Sequence, residues 1–439
     1  MRPEMTEVAT DEIVDVAGIG FGPSNLALAI ALEEHNQSLP PAQRLTARFV
    51  EAKERFAWHP GMLLPGATMQ ISFLKDLATQ RNARSRYSFL NYLQEHERLT
   101  DFINLQTFRP TRLEFQDYLR WAARTVSAAV DYGTTAVEVT AAGECFEIRL
   151  EGRASGVLRA RNIVVAVGLS ARLPEGVTAS ARVFHSHHLL PQLEALPPLR
   201  HNRFVVIGAG QSAAEVVGHL HQGYQDACVH AVFGKYGLSP ATDSPYANRI
   251  FDPAAVDDFY AASPELRRQL MSYHRGTNYS AVEPGLIDQL YAHEYAERVA
   301  GNRRLFMHGA STVAMVEESN GEVRVDVTHG PTGLTETLQC DAVVCATGFR
   351  PGDVRAVLGE VAASVAFEAE GAQVTRDYRL VPTAPLPGDI YLQGSVEHTH
   401  GLSSSLLSNI AVRTGEIVRS VARSAAAARV DRSGDRAGR

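Results

Sequence analysis

The sequence predicts an α/β fold with two similar domains, because it contains two glycine-rich turns in the same local setting. Residues 13–17 form an apolar, strand-like run that leads into Gly-Ile-Gly-Phe-Gly-Pro at 18–23. Residues 204–207 form a second such run, which leads into Gly-Ala-Gly-Gln-Ser-Ala at 208–213. A helix-like run rich in small and apolar residues follows each turn. Alternating strands and helices predict parallel sheets, so we expect two Rossmann-like domains with a small substrate-binding region between them.

The first turn has the residue types that a bound dinucleotide requires. We expect Gly18 to permit the tight bend and Gly20 to let backbone N–H groups approach the pyrophosphate, which the helix N-terminus then faces. Pro23 takes the third position, where proline is tolerated in the first turn of a helix. Glu51 follows the next strand-like run, 47–50, and is placed to bind the ribose hydroxyls. The alternative is a structural turn that binds nothing.

The second turn, with Gly208, Gly210 and Ala213, predicts a second dinucleotide. The strand-like run after it, 228–232, is followed by Lys235 and by no acidic residue. A carboxylate at this place favours a free 2′-hydroxyl, whereas a cation favours a 2′-phosphate. We therefore expect NADPH here, although Lys235 is equally compatible with a solvated surface lysine. Two dinucleotides in one chain indicate hydride transfer between them.

The order of elements predicts that the second domain is inserted into the first. We expect the first domain to comprise 1–167 and 341–420, and the second 168–340. The run from 341 is expected to return to the first domain and to end in an Ala-Thr-Gly turn. Residues 238–284 are irregular and polar, which predicts a loop segment that contacts substrate. The Ala-, Arg- and Ser-rich stretch 421–439 predicts a disordered tail.

Local patterns predict the other elements around the first turn. Helices are expected at 24–34, 87–97 and 112–126, and the last of these has apolar residues near helical spacing. Residues 56–90 show no clean periodicity and predict loops over a site.

Composition argues against several functional classes. The chain has 439 residues and a net charge of −7, which gives no basic surface for nucleic acid. The N-terminal residues lack the layout of a signal peptide, and no apolar run reaches the ~18 residues of a membrane helix. These features predict a cytoplasmic protein without a membrane span.

Cysteines and histidines do not predict a disulfide or a metal site. Cys340 and Cys345 would lie ~16 Å apart in one extended strand, whereas a disulfide needs Cα atoms within ~7 Å. The histidine-rich stretches 185–188 and 398–400 have no acidic partners at metal-ligand spacing. We expect no metal.

Five short motifs resemble one enzyme family over roughly residues 12–415. They are Met-Gln-Ile-Ser-Phe-Leu-Lys-Asp-Leu at 69–77, Asp-Ser-Pro-Tyr-Ala-Asn at 243–248, Thr-Asn-Tyr-Ser at 277–280, Ala-Thr-Gly-Phe at 346–349 and His-Gly-Leu-Ser at 400–403. The sequence is similar to the flavin-dependent N-hydroxylating monooxygenases of siderophore biosynthesis, and most similar to the L-ornithine N5-monooxygenases. Proline in the first glycine turn is also typical of that family.

The resemblance implies three sets of binding residues. The FAD set is Gly18, Gly20, Gly22, Pro23, Glu51, Trp58, His59, Gln70, Ser405, Leu406 and Leu407. The NADPH set is Gly208, Ala209, Gly210, Gln211, Ser212, Lys235, Asn278, Tyr279 and Ser280. The substrate set is Lys75, Asn248, Asn278 and Ser408. A family arginine that helps to bind NADPH is not clearly present, because Gly234 or Lys235 occupies its place.

The substrate residues also make chemical sense for a free amino acid. Lys75 can pair with the carboxylate as a point charge. The carbonyl oxygens of Asn248 and Asn278 can accept from the ammonium without adding charge. Taken alone, both asparagines also suit turns, because proline or glycine lies close to each.

The implied reaction is NADPH- and O2-dependent N5-hydroxylation of L-ornithine through a C4a-hydroperoxyflavin, without a protein nucleophile. It would supply hydroxyornithine for siderophore or related biosynthesis. Alternatives are N-hydroxylation of L-lysine or a diamine, Baeyer–Villiger or sulfur oxygenation, and a nucleotide-sensing flavoprotein without catalysis. The family resemblance also implies a homo-oligomer, either a dimer or a tetramer.

Overall fold

The computed structural model describes residues 6–242 and 244–437. Asp243, in one of the five motifs, and the last two residues of the predicted tail lie outside the described residues. The strands of the described chain are β1 Thr6–Ile19, β2 Ala47–Glu51, β3 Ala129–Tyr132, β4 Thr134–Ala142, β5 Cys145–Gly152, β6 Ala154–Val165, β7 Leu169–Ala171, β8 Val183–His185, β9 Arg203–Ile207, β10 Cys228–Val232, β11 Ser239–Pro240, β12 Ala281–Val282, β13 Leu305–His308, β14 Ser311–Ser319, β15 Glu322–His329, β16 Thr335–Cys340, β17 Ala342–Cys345, β18 Phe349–Pro351 and β19 Ile390–Leu392.

The α-helices confirm the three that the sequence predicts and add others. They are α1 Pro23–Gln37, α2 Phe89–Glu95, α3 Leu99–Asn104, α4 Arg112–Thr125, α5 Leu189–Ala195, α6 Gln211–Gly223, α7 Ala255–Ala261, α8 Pro264–Asn278, α9 Pro284–Ala300, α10 Val354–Leu358, α11 Glu397–His400 and α12 Ile410–Ala437.

The first sheet is mixed, with the order β3-β2-β1-β6-β5-β4 and with β19 also paired to β6. The strands around the first glycine turn are parallel, as expected: β1 pairs with β2 and β6, and β2 pairs with β3. The same sheet also contains β4 and β5, which form antiparallel hairpins that lead into β6. Such hairpins need only short turns, so the alternation of strands and helices gave no sign of them.

The second sheet is entirely parallel, with the order β13-β10-β9-β17-β8. The second glycine turn connects β9 to α6, at the carboxyl end of the sheet. The strand β17 belongs to this sheet, so the predicted return to the first domain at 341 is wrong. The chain returns after β17, because β17 pairs with β9 and β8. An antiparallel sheet of β14, β15 and β16 packs beside it.

Two segments of the chain connect the two sheets, and they lie side by side. The strand β7 follows the first sheet, β18 follows the second, and the two pair antiparallel with each other. This two-stranded connection brings the ends of both glycine-containing sheets to a common junction.

Two segments are more ordered than the sequence predicts. The segment 238–284 contains helices α7 and α8, and none of the α8 side chains is fully buried. The predicted tail continues α12 to Ala437. The prediction of disorder is wrong as far as that residue, because an Ala- and Arg-rich stretch also suits a helix.

The core of the first domain surrounds α1. Every residue of α1 from 25 to 32 is buried, and α1 packs on α12. A helix that is buried on all sides cannot shift without disrupting its neighbours. The glycine turn that precedes it is therefore held rigidly.

Candidate functional site

The first glycine turn is shaped by contacts that leave no room for side chains. Gly20 has a φ of +85°, and a Cβ there would lie 2.5 Å from the carbonyl oxygen of Ala166. Gly18 is the last residue but one of β1, and a Cβ there would lie 2.2 Å from Cδ1 of Phe49. These contacts indicate that Gly20 makes the bend and that Gly18 leaves room for the Phe49 ring on the neighbouring strand.

Gly22 and Pro23 form the open part of the turn. A Cβ on Gly22 would meet no atom within 4 Å. Pro23 is the first residue of α1, and no side chain caps the helix N-terminus. The free N–H groups of the first turn can therefore face an anion such as a pyrophosphate.

Glu51 lies beside this turn, at the end of β2. Its carboxylate accepts from the backbone N–H of Phe21 at 2.7 Å and from that of Lys53 at 3.0 Å. The two bonds fix the carboxylate at the carboxyl ends of β1 and β2. This is the place expected for an acid that binds ribose hydroxyls.

Behind the turn lies a buried polar network that sequence reasoning missed. The Gln393 amide donates to the carbonyl of Ser24 at 3.1 Å and to Oδ1 of Asn25 at 2.9 Å. Arg413 donates to the carbonyl of Ser404 and, at 3.5 Å, to the hydroxyl of Ser24. Gln393 Oε1 and Arg413 Nε have no partner among the described residues. One sign of this network is visible in the sequence, the charged Arg413 directly after the apolar residues 410–412.

The loop before α12 presents a short half-buried stretch. Ser405, Leu406 and Leu407 are partly exposed, whereas residues 401–404 and 408–411 are buried. Three accessible residues between two buried runs are suited to line a cavity. The network with Arg413 connects this loop to the first glycine turn.

Trp58, His59 and Gln70 lie on the loops that follow β2. The Trp58 N–H donates to Oε1 of the buried Gln116 at 3.0 Å. His59 has left-handed backbone angles, and its Nδ1 lies 3.3 Å from Nδ1 of His187. Burial lowers the pKa of both imidazoles to about 4. Gln70 is exposed.

The second glycine turn contacts the segment that follows α8. Gly208 has a φ of +144°, and a Cβ on Gly210 would lie 3.3 Å from Cα of Ser280. Lys235 donates to the hydroxyl of Ser239 at 2.9 Å and to the carbonyl of Ser280 at 2.8 Å. These bonds use two of the three N–H groups of its ammonium.

The other residues predicted to bind NADPH differ in how many hydrogen bonds they make. The Gln211 side chain donates to Glu215 and accepts from the N–H of Glu283, both at 2.8 Å. Tyr279 donates to Oε1 of Glu397 at 2.6 Å. Ala209 and Ser212 are half-buried on the turn and on α6.

The structure brings together the elements that carry three of the four substrate residues. Asn248 lies in the short 3-10 helix Ala247–Phe251, and Asn278 is the last residue of α8. Both elements contact the loop Leu402–Ser405, which leads to Ser408. Ser408 is 3% exposed, and its Oγ has no partner in the described chain.

Lys75 lies on a separate loop, where its backbone N–H donates to the carbonyl of Ser72 at 2.9 Å. Its half-buried side chain pairs with no carboxylate among the described residues. The next residue, Asp76, accepts three backbone N–H bonds, from Ala78, Thr79 and Phe89. The loop is thus well fixed, while the ammonium remains available to an anion.

An ion pair between the domains is a second feature that sequence reasoning missed. Arg112 of α4 binds Glu215 of α6 through two bonds, of 2.7 and 2.8 Å. Both side chains are largely buried. Because Glu215 also binds the Gln211 side chain, the pair connects α4 of the first domain to the second glycine turn. No local pattern marks such a pair.

The part of the chain that the structure describes contains no candidate metal centre, no disulfide and no membrane-spanning helix. No group of three or more His, Cys, Asp or Glu residues there can hold a metal ion. All four cysteines are described, and each is a free thiol. None of the described helices is both long and apolar enough to cross a bilayer.

Comparison with known proteins agrees with this geometry. Residues 12–351 match the family model of L-lysine 6-monooxygenase/L-ornithine 5-monooxygenase. The chain is 36% identical to an L-ornithine N(5)-monooxygenase of Arthroderma benhamiae, over 96% of this chain and 91% of the relative.

Two solved structures show the same architecture. The ornithine N-hydroxylase of Kutzneria sp. 744, solved with reduced FAD, NADP+ and L-ornithine, is 44% identical with a TM-score of 0.88, and the match covers 94% of this chain and 99% of that one. The L-lysine 6-monooxygenase of Pseudomonas syringae is 30% identical with a TM-score of 0.83, and the match has the same coverage. The chain therefore belongs to the L-lysine 6-monooxygenase/L-ornithine 5-monooxygenase family.

Proposed function

We propose that this protein hydroxylates the side-chain amine of L-ornithine at N5, with FAD as cofactor and NADPH and O2 as co-substrates. The observation that carries the proposal is the half-buried Lys75, whose ammonium has no carboxylate partner among the described residues. It is suited to bind the carboxylate of a free amino acid. The names of the relatives and of the Kutzneria complex support ornithine as that amino acid.

The first glycine turn and its surroundings fit FAD. The open space at Gly22 and the uncapped start of α1 suit the pyrophosphate, and Glu51 suits the ribose. Ser405, Leu406 and Leu407 would line the isoalloxazine, with Trp58, His59 and Gln70 on the opposite loops. Reduced FAD supplies the chemistry by which one oxygen atom of O2 is transferred to an amine.

The second glycine turn fits NADPH. Gly208, Ala209, Gly210, Gln211 and Ser212 would face its pyrophosphate, with Asn278, Tyr279 and Ser280 on the segment that covers the turn. Lys235 has one N–H left for a 2′-phosphate. No side chain needs to act as a nucleophile. The protein would instead orient the cofactors and the substrate and exclude water from the site.

The substrate end groups would be held by charge and by neutral acceptors. Lys75 binds the carboxylate, while Asn248 and Asn278 accept from the α-ammonium. Ser408, whose buried Oγ lacks a partner among the described residues, would lie near the rest of the substrate. An amine with a pKa of ~10.4 is mostly protonated near pH 7. The rate should therefore rise with pH, because only the neutral amine accepts oxygen.

A panel of substrates tests this assignment. NADPH oxidation would be followed with ornithine, lysine, putrescine, a ketone and no addition, and repeated with NADH. We expect the strongest stimulation by ornithine, little by putrescine, which lacks the carboxylate, and a preference for NADPH. Stimulation by the ketone would indicate Baeyer–Villiger chemistry. The absence of any substrate-dependent turnover would indicate a nucleotide sensor and would refute the proposal.

We also propose a cytoplasmic homo-oligomer. The four free thiols are typical of a reducing compartment. The helix α9 exposes Tyr291, Tyr295 and Val299, which repeat every four residues along one face. Light scattering after size exclusion should show more than one copy, and Tyr295→Asp should reduce that number. A parent protein that is monomeric at micromolar concentration would contradict self-association.

A further inference from the structure

Arg413 is a buried charge that the proposed reaction does not use. It lies in the first turn of α12, is 2% exposed, and is preceded by the apolar residues 410–412. Among the described residues no carboxylate is bonded to its guanidinium. Burying a cation without a bonded anion is costly, so such a residue calls for a functional explanation.

The guanidinium joins two walls of the proposed flavin site. One Nη donates to the carbonyl of Ser404, which immediately precedes the half-buried stretch 405–407. The other Nη lies 3.5 Å from the hydroxyl of Ser24, in the first turn of α1 beside the proposed pyrophosphate site. Nε is buried and has no partner in the described chain. Arg413 therefore lies behind the proposed flavin site and out of contact with solvent.

The surrounding groups do not neutralise this charge through a direct bond. Glu416, one turn further along α12, accepts two hydrogen bonds of 3.0 Å from Arg376. Arg376 also binds Asp257 at 2.6 Å. Burial raises the pKa of the nearby Tyr378 to about 12, which keeps its phenol neutral. Burial lowers the pKa of Arg413 itself, but an arginine stays protonated in proteins.

We propose that Arg413 is a positioning residue that fixes the wall of the flavin site and that its charge favours the reduced flavin over the oxidised flavin. Hydride transfer moves two electrons and one proton from NADPH to the flavin, which leaves NADP+ and a flavin with one additional negative charge. A buried cation stabilises that added charge, because it is only weakly screened by salt. This inference rests on the proposed flavin site.

Three substitutions separate the charge from the hydrogen bonds. R413Q and R413M remove the charge. R413K keeps the charge but cannot reproduce the planar set of N–H donors of the guanidinium. The control is R81M, since the Arg81 side chain is also largely buried, packs on α12 against Gly415, and is paired with Glu34. The midpoint potential of the bound flavin would be measured anaerobically, by equilibration with a reference dye, on each FAD-containing protein.

We expect R413Q and R413M to lower the preference for reduced over oxidised flavin about tenfold, which is about 30 mV for a two-electron couple. R413K and R81M should stay near the parent potential, although R413K should bind FAD more weakly. Equal potentials in all variants would overturn the proposal, as would an equal shift in R413K and R413M. If the neutral variants failed to bind FAD even in excess while R413K bound it, the charge would serve retention and not tuning, which also overturns it. A parent protein that binds no FAD would instead refute the flavin site.

Discussion

At the scale of single residues, Lys75 is the most direct test of substrate binding. Lys75→Ala should lower kcat/KM for ornithine by about ten- to a hundredfold, the equivalent of one charge-assisted hydrogen bond of ~1.5–3 kcal/mol. Anaerobic reduction of the flavin by NADPH should change little, because NADPH is expected to bind elsewhere. The matched control is Lys53→Ala, since Lys53 is an exposed lysine of the same loop region. A collapse of flavin reduction with intact ornithine affinity would contradict the role of Lys75.

Glu51 is the residue that tests cofactor binding most directly. Glu51→Ala removes the acceptor of the Phe21 and Lys53 N–H groups and the proposed ribose ligand. We expect the Kd for FAD to rise about ten- to a hundredfold, measured by fluorescence titration of the apoprotein. Glu54→Gln, which alters an exposed carboxylate nearby, should leave the Kd unchanged. Equal effects of the two variants would show that Glu51 is not a specific ligand.

At the scale of elements, the ion pair between α4 and α6 should connect the stability of the two domains. Arg112→Met leaves Glu215 buried without its partner, which typically costs ~3–5 kcal/mol. The double variant Arg112→Met/Glu215→Met should recover much of that loss, because buried pairs are often replaceable by apolar residues. Chemical unfolding of the two single variants and the double variant measures this coupling. Additive losses in the double variant would contradict it.

The elements also show what could be predicted from the sequence. The two strand–turn–helix units are local patterns, so β1, α1, β9 and α6 were predicted correctly. The sheet to which β17 belongs depends on pairing with β9 and β8, which no local pattern records. The helix α8 was not predicted, and none of its side chains is fully buried. The bond between Arg413 and Ser24 joins residues far apart in the chain. Most of the proposed site residues could be named from the resemblance of short sequence motifs. Their contacts could be described only once the fold was known.

At the scale of the whole molecule, buried histidines predict how stability depends on pH. Burial lowers the pKa to about 4 for His59, His187 and His400, and to about 3 for His230. In the unfolded chain the pKa of histidine is near 6.5. Between about pH 6.5 and pH 4 the unfolded chain therefore binds more protons, and stability falls as the pH is lowered through this range.

Thermal unfolding between pH 7.5 and 4.5 measures this effect. The Tm should be nearly constant above pH 7 and should decrease progressively below pH 6.5. His400→Asn should flatten the slope, whereas His96→Asn, which changes an exposed histidine, should not. A Tm that does not change between pH 6.5 and 4.5 would contradict the burial of neutral imidazoles.

The ornithine assignment depends on one geometric claim. The protein binds the carboxylate and the α-ammonium of the amino acid, and the length of the side chain then determines where its amine lies. Lysine should then bind with its amine about one methylene (~1.3 Å) from the reactive position, a misplacement that can cost ~10²-fold. The decisive measurement is the amount of hydroxylamine product formed per NADPH consumed, with ornithine and with lysine. We predict a ratio near one for ornithine, whereas lysine should stimulate NADPH oxidation but yield mostly hydrogen peroxide. A ratio near one for lysine, with uncoupled turnover of ornithine, would contradict the account and indicate a lysine N6-hydroxylase.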